Sequence, residues 1–137
     1  MLPAQTIKNE FNRAPILHLL LRYTQALITQ ISQTAVCNRL HPVAQRLTRW
    51  LLLCHDRADS DELIMTQEFI ANMLGGRRES VTLAAGHLQD AGLIRYARGH
   101  IRIIDRSGLA ASACECYQIV NDECARLLGT SKRSDFN

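Results

Sequence analysis

The residues best equipped to recognise another molecule lie in a short segment between positions 77 and 82. Arg77, Arg78, Glu79, Ser80 and Thr82 occur there with one apolar residue among them. A guanidinium matches guanine O6 and N7 bidentately, a carboxylate accepts from cytosine N4, and hydroxyls suit either bases or phosphates. At the start of a helix, Arg78, Glu79 and Thr82 are predicted to read bases. Arg77 and Ser80 are predicted to contact phosphate.

Thiols and imidazoles are the other groups that could do chemistry, and the chain has five cysteines and five histidines. An odd cysteine count without a signal peptide favours reduced cytosolic thiols over a disulfide framework. Cys114 and Cys116, with Cys124 nearby, could bind a soft metal. Three cysteines on one helix at these spacings are not expected to converge on one ion. We therefore predict buried structural thiols, no metal site and no cofactor.

Catalysis has little support in the sequence. No serine, histidine and acid occur at a recognisable spacing, and Gly75 and Gly76 lack the lysine and hydroxyl residue of a phosphate-binding loop. The apolar run at residues 16–21 is too short to span a membrane. With 137 residues, 47% hydrophobic content and a net charge of +3, the chain suits one cytoplasmic domain with an extension. We predict that it is not an enzyme.

Two short helices joined by a glycine turn are predicted to position the segment at 77–82. Thr66 can cap the first helix, and Gly75 can end it in the left-handed conformation. The second helix is predicted over about residues 77–90, before Gly92. The positions expected to face inward are Phe69, Ile70, Met73, Leu74, Val81, Ala84, Ala85 and Leu88. This is the helix-turn-helix pattern, whose second helix fits the major groove of DNA.

A two-stranded hairpin is predicted directly after this motif, over residues 93–97 and 101–105, with Gly99 in its turn. Residues 95–106 contain four arginines and one aspartate. A basic hairpin after a helix-turn-helix is the wing of a winged helix. The residues predicted to hold phosphate from the wing and from the first helix N-terminus are Arg98, His100, Thr66 and Gln67.

A long apolar helix is predicted ahead of these elements, over residues 13–37. Leucine, isoleucine and threonine recur in it at alternating steps of three and four, which is the pattern of a coiled-coil seam. So small a domain cannot cover so wide an apolar surface alone, and we predict a homodimer. The predicted interface residues are Leu17, Leu20, Thr24, Leu27 and Ile31.

Another helix is predicted over residues 43–55, with Trp50 inward and with Arg46 and Arg49 exposed. Residues 56–62 carry four acids and one arginine and are expected to form a solvated loop.

A short strand is predicted at 63–65, beside the wing, and a last helix at 107–128, capped by Ser107. The fold class is therefore mainly α with a small β-wing: a winged helix-turn-helix preceded by a long dimerisation helix.

Residues 66–94, with the core LGGRRESV, resemble the DNA-binding domain of Crp/Fnr-type bacterial transcription regulators. The family motif is roughly T-x-x-x-[IL]-A-x-x-[LV]-G-x-x-R-[ES]-[TS]-V, followed by GLI and a wing, and the resemblance extends from about Ile16 to about Asp105. Positions 78 to 80 match the family's base- and phosphate-reading residues. The family often has a second arginine where this chain has Leu83, so its usual operator sequence is not carried over.

The resemblance implies double-stranded DNA as the ligand, dimerisation through the long helix, and RNA polymerase as a further partner. Regulators of this type carry an N-terminal sensor domain, of which this chain could hold only a remnant, so we expect either a cut-out of a longer regulator or a natural short form. The predicted divisions are 1–12 for a remnant or hinge of a sensor domain, 13–37 for the dimerisation helix, 38–128 for the winged helix-turn-helix and 129–137 for a flexible tail.

Two other functions stay open at this point. A winged helix can serve as a protein–protein interaction module, which would show no salt-dependent affinity for DNA. A thiol- or metal-responsive sensor would purify with metal or change its mobility on oxidation. The basic wing beside Arg77 and Arg78 favours DNA binding over both.

Overall fold

The computed structural model describes residues 3–11 and 13–129, which contain seven helices and three short strands. The helices are α1 (Ala4–Phe11), α2 (Ala14–Leu40), α3 (Val43–Arg57), α4 (Gln67–Leu74), α5 (Arg78–Asp90), α6 (Arg106–Ala111) and α7 (Glu115–Leu128). The strands are β1 (Glu62–Ile64), β2 (Ile94–Ala97) and β3 (His100–Ile103). The predicted fold class, mainly α with a small β-wing, is confirmed.

The described residues form two compact units. The first contains the residues up to Gln33 and those from Ile119 onward, and the second runs from Thr34 to Gln118. The second unit holds the predicted helix-turn-helix and wing, so its fold positions the segment at 77–82. Helices α2 and α7 each contribute residues to both units.

Helix α3 lies at the centre of the second unit, because it packs against α4, α5 and α6. Three of its leucines are almost wholly buried, and so is one large apolar side chain from each of its neighbours. These residues are Leu47, Leu51 and Leu52 of α3, Ile70 of α4, Val81 of α5 and Leu109 of α6. Burial of apolar area on this scale is the main favourable contribution to folding.

Two arginines of α3 turn toward the protein, so the prediction that they are exposed is wrong. Arg49 is only 3% exposed, and its Nη2 donates to Thr34 Oγ1 at 2.7 Å. Arg46 is half-buried and donates from Nη1 to the carbonyl of Leu74, the last residue of α4, at 2.8 Å. A guanidinium there satisfies a free carbonyl and complements the helix dipole.

The helix-turn-helix forms where its capping residues predict it. Thr66 Oγ1 accepts from the N–H of Phe69 at 3.1 Å and caps α4. Gly75 ends that helix with a φ of 65°, a conformation that costs glycine little. The chain then enters α5 within three residues, so the turn between the two helices is as tight as predicted.

The inward stripe of α4 is narrower than predicted. Ile70 and Leu74 are buried, but Phe69 and Met73 are about half exposed, at 49% and 53%. The prediction that they face inward is therefore wrong, because a helix of eight residues buries only one face. Trp50, predicted to lie in the core, is half-buried, with its ring centroid 6.2 Å from that of Phe69.

The three strands form an antiparallel sheet in the order β1-β3-β2. Leu63 of β1 and Tyr96 of β2 both pair with Ile101 of β3. The apolar side chains on one face are buried, while Arg95 and Arg102 on the other are exposed. The short strand predicted beside the wing is thus confirmed.

The segment after the wing is broken into two helices, so the single helix predicted over 107–128 is wrong. Residues 112–114 separate α6 from α7. The capping residue is Asp105, not Ser107, because its Oδ1 accepts from the N–H of Gly108 at 2.9 Å.

A polar network joins the end of α3 to α6 and α7, and it includes an acid predicted to lie in a solvated loop. Arg106 Nη2 binds Asp56 Oδ1 and the Tyr117 hydroxyl, at 2.9 Å, while that hydroxyl donates to Asp56 Oδ2 at 2.8 Å. Arg106 Nη1 donates to His55 Nδ1 at 2.8 Å, so His55 Nε2 donates to Asp61 at 2.7 Å. Arg106 therefore binds residues of α3 and α7 and adds no free positive charge to the wing.

Helix α2 is longer than predicted and continues to Leu40, within the second unit. Helix α1 occupies residues predicted to be a short lead. Position 12 and residues 130–137 of the predicted tail lie outside the described residues. None of the helices described here combines the length and the apolar character needed to cross a bilayer.

Removing the carboxylate of Asp56 should destabilise the second unit. Asp56→Ala leaves the half-buried Arg106 guanidinium without its charged partner, which typically costs on the order of 1–3 kcal/mol of unfolding free energy. Urea denaturation measures the loss. Asp59→Ala, an exposed acid of the same loop, is the control and should lie within about 0.5 kcal/mol of the parent chain. Equal stability of both variants would show that the network contributes nothing measurable.

Candidate nucleic-acid interface

Helix α5 presents its first turn to solvent. It begins at Arg78, after Arg77, whose side chain makes no capping hydrogen bond. The four residues at this end are exposed: Arg77, Arg78, Glu79 and Ser80. The opposite face is buried as predicted, through Val81, Ala84, Ala85 and Leu88. Since the helix N-terminus carries partial positive charge, this end of α5 suits an anionic ligand.

A cleft of about 330 Å³ opens beside this turn. Its lining comes from the start of α4, the start of α5 and the tip of the wing: Thr66, Gln67, Arg78, Tyr96, Arg98 and Gly99. The N–H of Met65 donates to the carbonyl of Gly99 at 2.8 Å, which fixes the wing tip against the start of α4. The structure thus brings together four of the predicted contact residues.

Thr82 lies on the second turn of α5 and connects to the same region. Its hydroxyl is 2.6 Å from Gln67 Oε1 and 3.0 Å from the carbonyl of Arg78. One proton serves both acceptors, so the hydroxyl oxygen keeps its own lone pairs. Thr82 therefore holds Gln67 in place and can still accept a hydrogen bond.

The wing tip is a two-residue turn with an unusual residue in it. Arg98 and Gly99 have φ values of 49° and 78°, and they connect the paired residues Ala97 and His100. Two positive φ angles define a type I′ turn, which favours Asn-Gly. Arginine in the left-handed region is strained by about 1–2 kcal/mol. Such strain at an exposed cation is typical of a position kept for contact rather than for stability.

His100 already has a partner within the protein. Its Nδ1 lies 3.0 Å from Glu62 Oε1 on β1. The carboxylate engages one of the two ring nitrogens, so the phosphate contact predicted for His100 would use the other, Nε2. The charge of Glu62 weakens that contact relative to the one predicted for Arg98, because like charges repel each other. Glu79, Ser80 and Arg77 do not line the cleft.

The wing is less basic than its sequence predicts. Arg106 belongs to the polar network described above, which leaves Arg95, Arg98 and Arg102. Arg95 and Arg102 are paired directly across the sheet, where like charges destabilise a strand pair. Glu62 is opposite Arg102 on the other side, so the acid offsets part of this repulsion.

Sequence reasoning missed one residue of the cleft, Tyr96. Alternation along β2 marks it as inward-facing, and it is half-buried, but it also reaches the cleft. The backbone N–H of Tyr96 donates to Gln89 Oε1 on α5 at 2.8 Å, so a side chain of α5 holds the wing strand. Leu83, the residue after Thr82 on α5, is 65% exposed.

The structure also brings together thiols and an imidazole that were not predicted to form a group. Cys114 and Cys116 lie beside Cys37 and His41, while Cys124 is not in this group. Cys114, Cys116 and Cys124 thus do not converge, as predicted, and the other two members come from the end of α2 and the residue after it. Their signal in the sequence is the Cys-x-x-x-His spacing at a helix end. Burial raises the pKa of Cys37 to about 12 and also raises the pKa of Cys114.

Residues 45–112 match the Crp-like helix-turn-helix domain family. The chain is similar to a transcriptional regulator of the Crp/Fnr family from Eubacterium rectale, with 26% identity over 82% of this chain and a TM-score of 0.60. A CRP-family transcriptional regulator from Thermus thermophilus shares the fold, with 22% identity over 74% of this chain and a TM-score of 0.62.

The chain spans 52% of the first of these solved chains and 55% of the second, so it corresponds to about half of their length. No match was found among curated proteins. The resemblance to Crp/Fnr regulators is confirmed over the region that contains the cleft and the first turn of α5. The chain therefore carries a Crp-like helix-turn-helix domain, as its resemblance to Crp/Fnr-type regulators implied.

Proposed function

We propose that this chain is the sequence-specific DNA-binding module of a dimeric transcription regulator, with α5 in the major groove. The observation that carries the proposal is the cleft in which Arg78 and Arg98 lie with the first turn of α4. Elements that are distant in sequence converge there on the exposed end of α5. No residue of this site is proposed to catalyse a reaction.

The base-reading contacts are assigned to the exposed side of α5. Arg78 starts the helix, where a planar guanidinium can reach guanine O6 and N7. Glu79 can accept from cytosine N4, and Thr82 keeps an acceptor oxygen. Leu83 cannot form hydrogen bonds and can only pack on a thymine methyl group. The half-site therefore contains a G·C pair read by Arg78, with no polar discrimination opposite Leu83.

The phosphate contacts surround this helix. The free backbone N–H groups at the start of α4 suit a phosphate oxygen, and Thr66 and Gln67 lie there. Arg98 reaches the same cleft from the wing. Arg77 and Ser80 complete the set, and His100 joins it through Nε2, since Glu62 binds its Nδ1. These contacts position the protein without reading sequence.

Dimerisation is assigned to α2, which carries exposed apolar side chains along its length. Leu17, Leu27 and Ile31 are 40%, 39% and 68% exposed. The hydroxyl of Thr24 donates to the carbonyl of Leu20 at 2.8 Å, so a seam through these residues buries no unsatisfied donor. Ala26, only 4% exposed, lies on another face. Two parallel copies would set their α5 helices about 34 Å apart.

A protein-binding winged helix is the second candidate function. The exposed Phe69 and Met73, with Phe69 beside the ring of Trp50, favour it, because an apolar patch can dock another protein. It predicts that the chain shows no salt-dependent affinity for DNA. RNA polymerase as a partner stays a prediction of the family resemblance.

Arg78→Ala should weaken binding to the cognate site far more than binding to random DNA. We expect a loss on the order of 1–3 kcal/mol at a site selected from random sequences, since a bidentate base contact is lost. Fluorescence anisotropy on both DNAs measures it. Arg126→Ala, whose guanidinium is held by Glu123, is the control. Equal losses on both DNAs would make Arg78 a phosphate contact instead.

Arg98→Asn should separate stability from DNA binding. Asparagine tolerates the left-handed conformation, so the wing turn is kept and unfolding free energy should rise by up to about 1 kcal/mol. Removing one phosphate contact should lower the slope of log affinity against log salt by about one unit. Thermal denaturation and a salt series give both results. An unchanged slope would exclude Arg98 from the interface.

Ile31→Asp should convert a dimer into a monomer, because it places a charge in the proposed α2 seam. Sedimentation velocity measures the oligomeric state, and affinity for a palindromic site should fall together with it. Gln25→Asp introduces the same charge at an exposed position outside the seam and should leave both unchanged. A monomeric parent chain at high concentration would refute the seam.

A further inference from the structure

Three cysteines and one histidine meet within the second unit, and none of them is among the proposed DNA contacts. Cys37 lies near the end of α2, and His41 directly follows that helix, while Cys114 directly precedes α7 and Cys116 is in its first turn. One ligand atom from each lies within 4.8 Å of the others. The cysteines are 0%, 5% and 1% exposed in chain order, and the histidine side chain is 14% exposed.

We propose that these four side chains bind one Zn²⁺ ion in a closed structural site. Thiolate and imidazole are the ligands that zinc prefers, and three cysteines with one histidine form a common structural set. Four protein ligands leave no open position for water or substrate, so the ion would support the fold rather than perform catalysis. This inference goes beyond the proposed DNA binding and does not depend on it.

Two distances within the group match the edges of one tetrahedral ion. With zinc–sulfur bonds of about 2.3 Å and zinc–nitrogen bonds of about 2.0 Å, the edges of the tetrahedron are about 3.8 Å between sulfurs and about 3.5 Å between sulfur and nitrogen. The Sγ atoms of Cys37 and Cys114 lie 3.6 Å apart. Cys116 Sγ lies 3.5 Å from His41 Nδ1. The two pairs are therefore spaced as neighbouring ligands of one ion.

The histidine also has the partner that a metal ligand needs. His41 directs Nδ1 at the thiols, and its Nε2 lies 3.3 Å from Glu115 Oε1. A metal-bound histidine usually donates its second ring N–H to a carboxylate, which fixes the tautomer and the ring orientation. Glu115 lies between Cys114 and Cys116, so one short segment supplies two ligands and this positioning residue.

Two other uses of the thiols explain less of the arrangement. A disulfide between Cys37 and Cys114 would shorten their separation to about 2.05 Å, but it would leave Cys116, His41 and Glu115 without a role. An iron–sulfur cluster is larger than a single ion and would hold its ligand atoms farther apart. A single zinc ion accounts for all four ligand atoms and for the carboxylate behind the histidine.

Bound zinc would cross-link the two ends of the second unit. Cys37 and Cys114 are 77 residues apart in sequence, and the four ligands lie near the two ends of the segment 34–118. Closing so long a loop restricts the unfolded chain strongly. Zinc should therefore stabilise the unit that contains α5 and the wing without contacting either.

The test uses the full chain purified under reducing conditions. Elemental analysis should find about one zinc per chain. After chelation, a titration with Co²⁺ should give the visible absorption of a tetrahedral cobalt–thiolate site, which Zn²⁺ then abolishes. Zinc should also raise the midpoint of thermal unfolding. Absence of stoichiometric zinc together with absence of the cobalt spectrum would overturn the proposal, and so would iron with inorganic sulfide in the protein.

Matched variants locate the site. Cys116→Ser should lose stoichiometric zinc, whereas Cys54→Ser and Cys124→Ser should keep it, because those cysteines lie outside the group. Equal zinc in Cys116→Ser and the parent chain would overturn the assignment, as would equal loss in Cys54→Ser. If Cys116→Ser fails to fold, alkylation of the parent chain decides instead. Zinc should then protect Cys37, Cys114 and Cys116 but not Cys54 or Cys124, and equal protection of all five would overturn the site.

The role of Glu115 is tested by affinity. Glu115→Gln keeps the four ligands and should weaken zinc binding about 10- to 100-fold in competition with a chromophoric chelator, as expected for a partner of a ligating histidine. Glu115→Asp should restore part of the loss. Glu123→Gln, on the same helix, is the control. Unchanged affinity in Glu115→Gln would remove the carboxylate from the proposed site.

Discussion

The packing of α5 against α3 is the constraint on which the candidate interface depends. Helix α5 packs against α3, α4 and β2, and Ala84 and Ala85 are buried on its inward face, where small side chains allow close approach. Once that face is fixed, the rotation of α5 is fixed as well. The side chains of Arg78, Glu79 and Thr82 then face solvent. The position of the wing strand β2 is fixed as well, because Gln89 of α5 accepts a hydrogen bond from its backbone.

The parts of the fold that the sequence predicted are those controlled by local signals. In the helix-turn-helix, the Thr66 cap and the left-handed Gly75 predicted where α4 starts and ends. A spacing of 3.6 residues between apolar side chains predicted the buried face of α5. Asp105 shows how close the competing signals are, since it caps α6 two residues before Ser107. The break at residues 112–114 lies at the other end of that helix and was not predicted. Phe69 and Met73 show the limit of hydrophobic periodicity, because the spacing of apolar residues does not tell how many of them pack against another element.

The features that could not be predicted all depend on partners distant in sequence. Arg46 and Arg49 were predicted to be exposed, but they turn inward because Leu74 and Thr34 provide hydrogen-bond acceptors. Asp56 reads as part of an acidic loop until Arg106, 50 residues later, provides its charge. In the candidate interface, the likewise distant Glu62 binds Nδ1 of His100. A single sequence contains each of these residues but not the pairing between them.

The thiol group illustrates the same limit and also shows how two functions can coexist in one small unit. DNA recognition needs exposed, mobile side chains and tolerates strain, as at Arg98 with its positive φ. Such a surface adds little to stability, and its cations repel one another at Arg95 and Arg102. The second unit therefore needs stabilising contacts elsewhere. The half-buried Arg106 network supplies one, and a closed metal site between the ends of α2 and α7 would supply another. Because neither lies in the cleft, each would hold the scaffold rigid while the exposed residues at the start of α5 remain free to make the proposed DNA contacts.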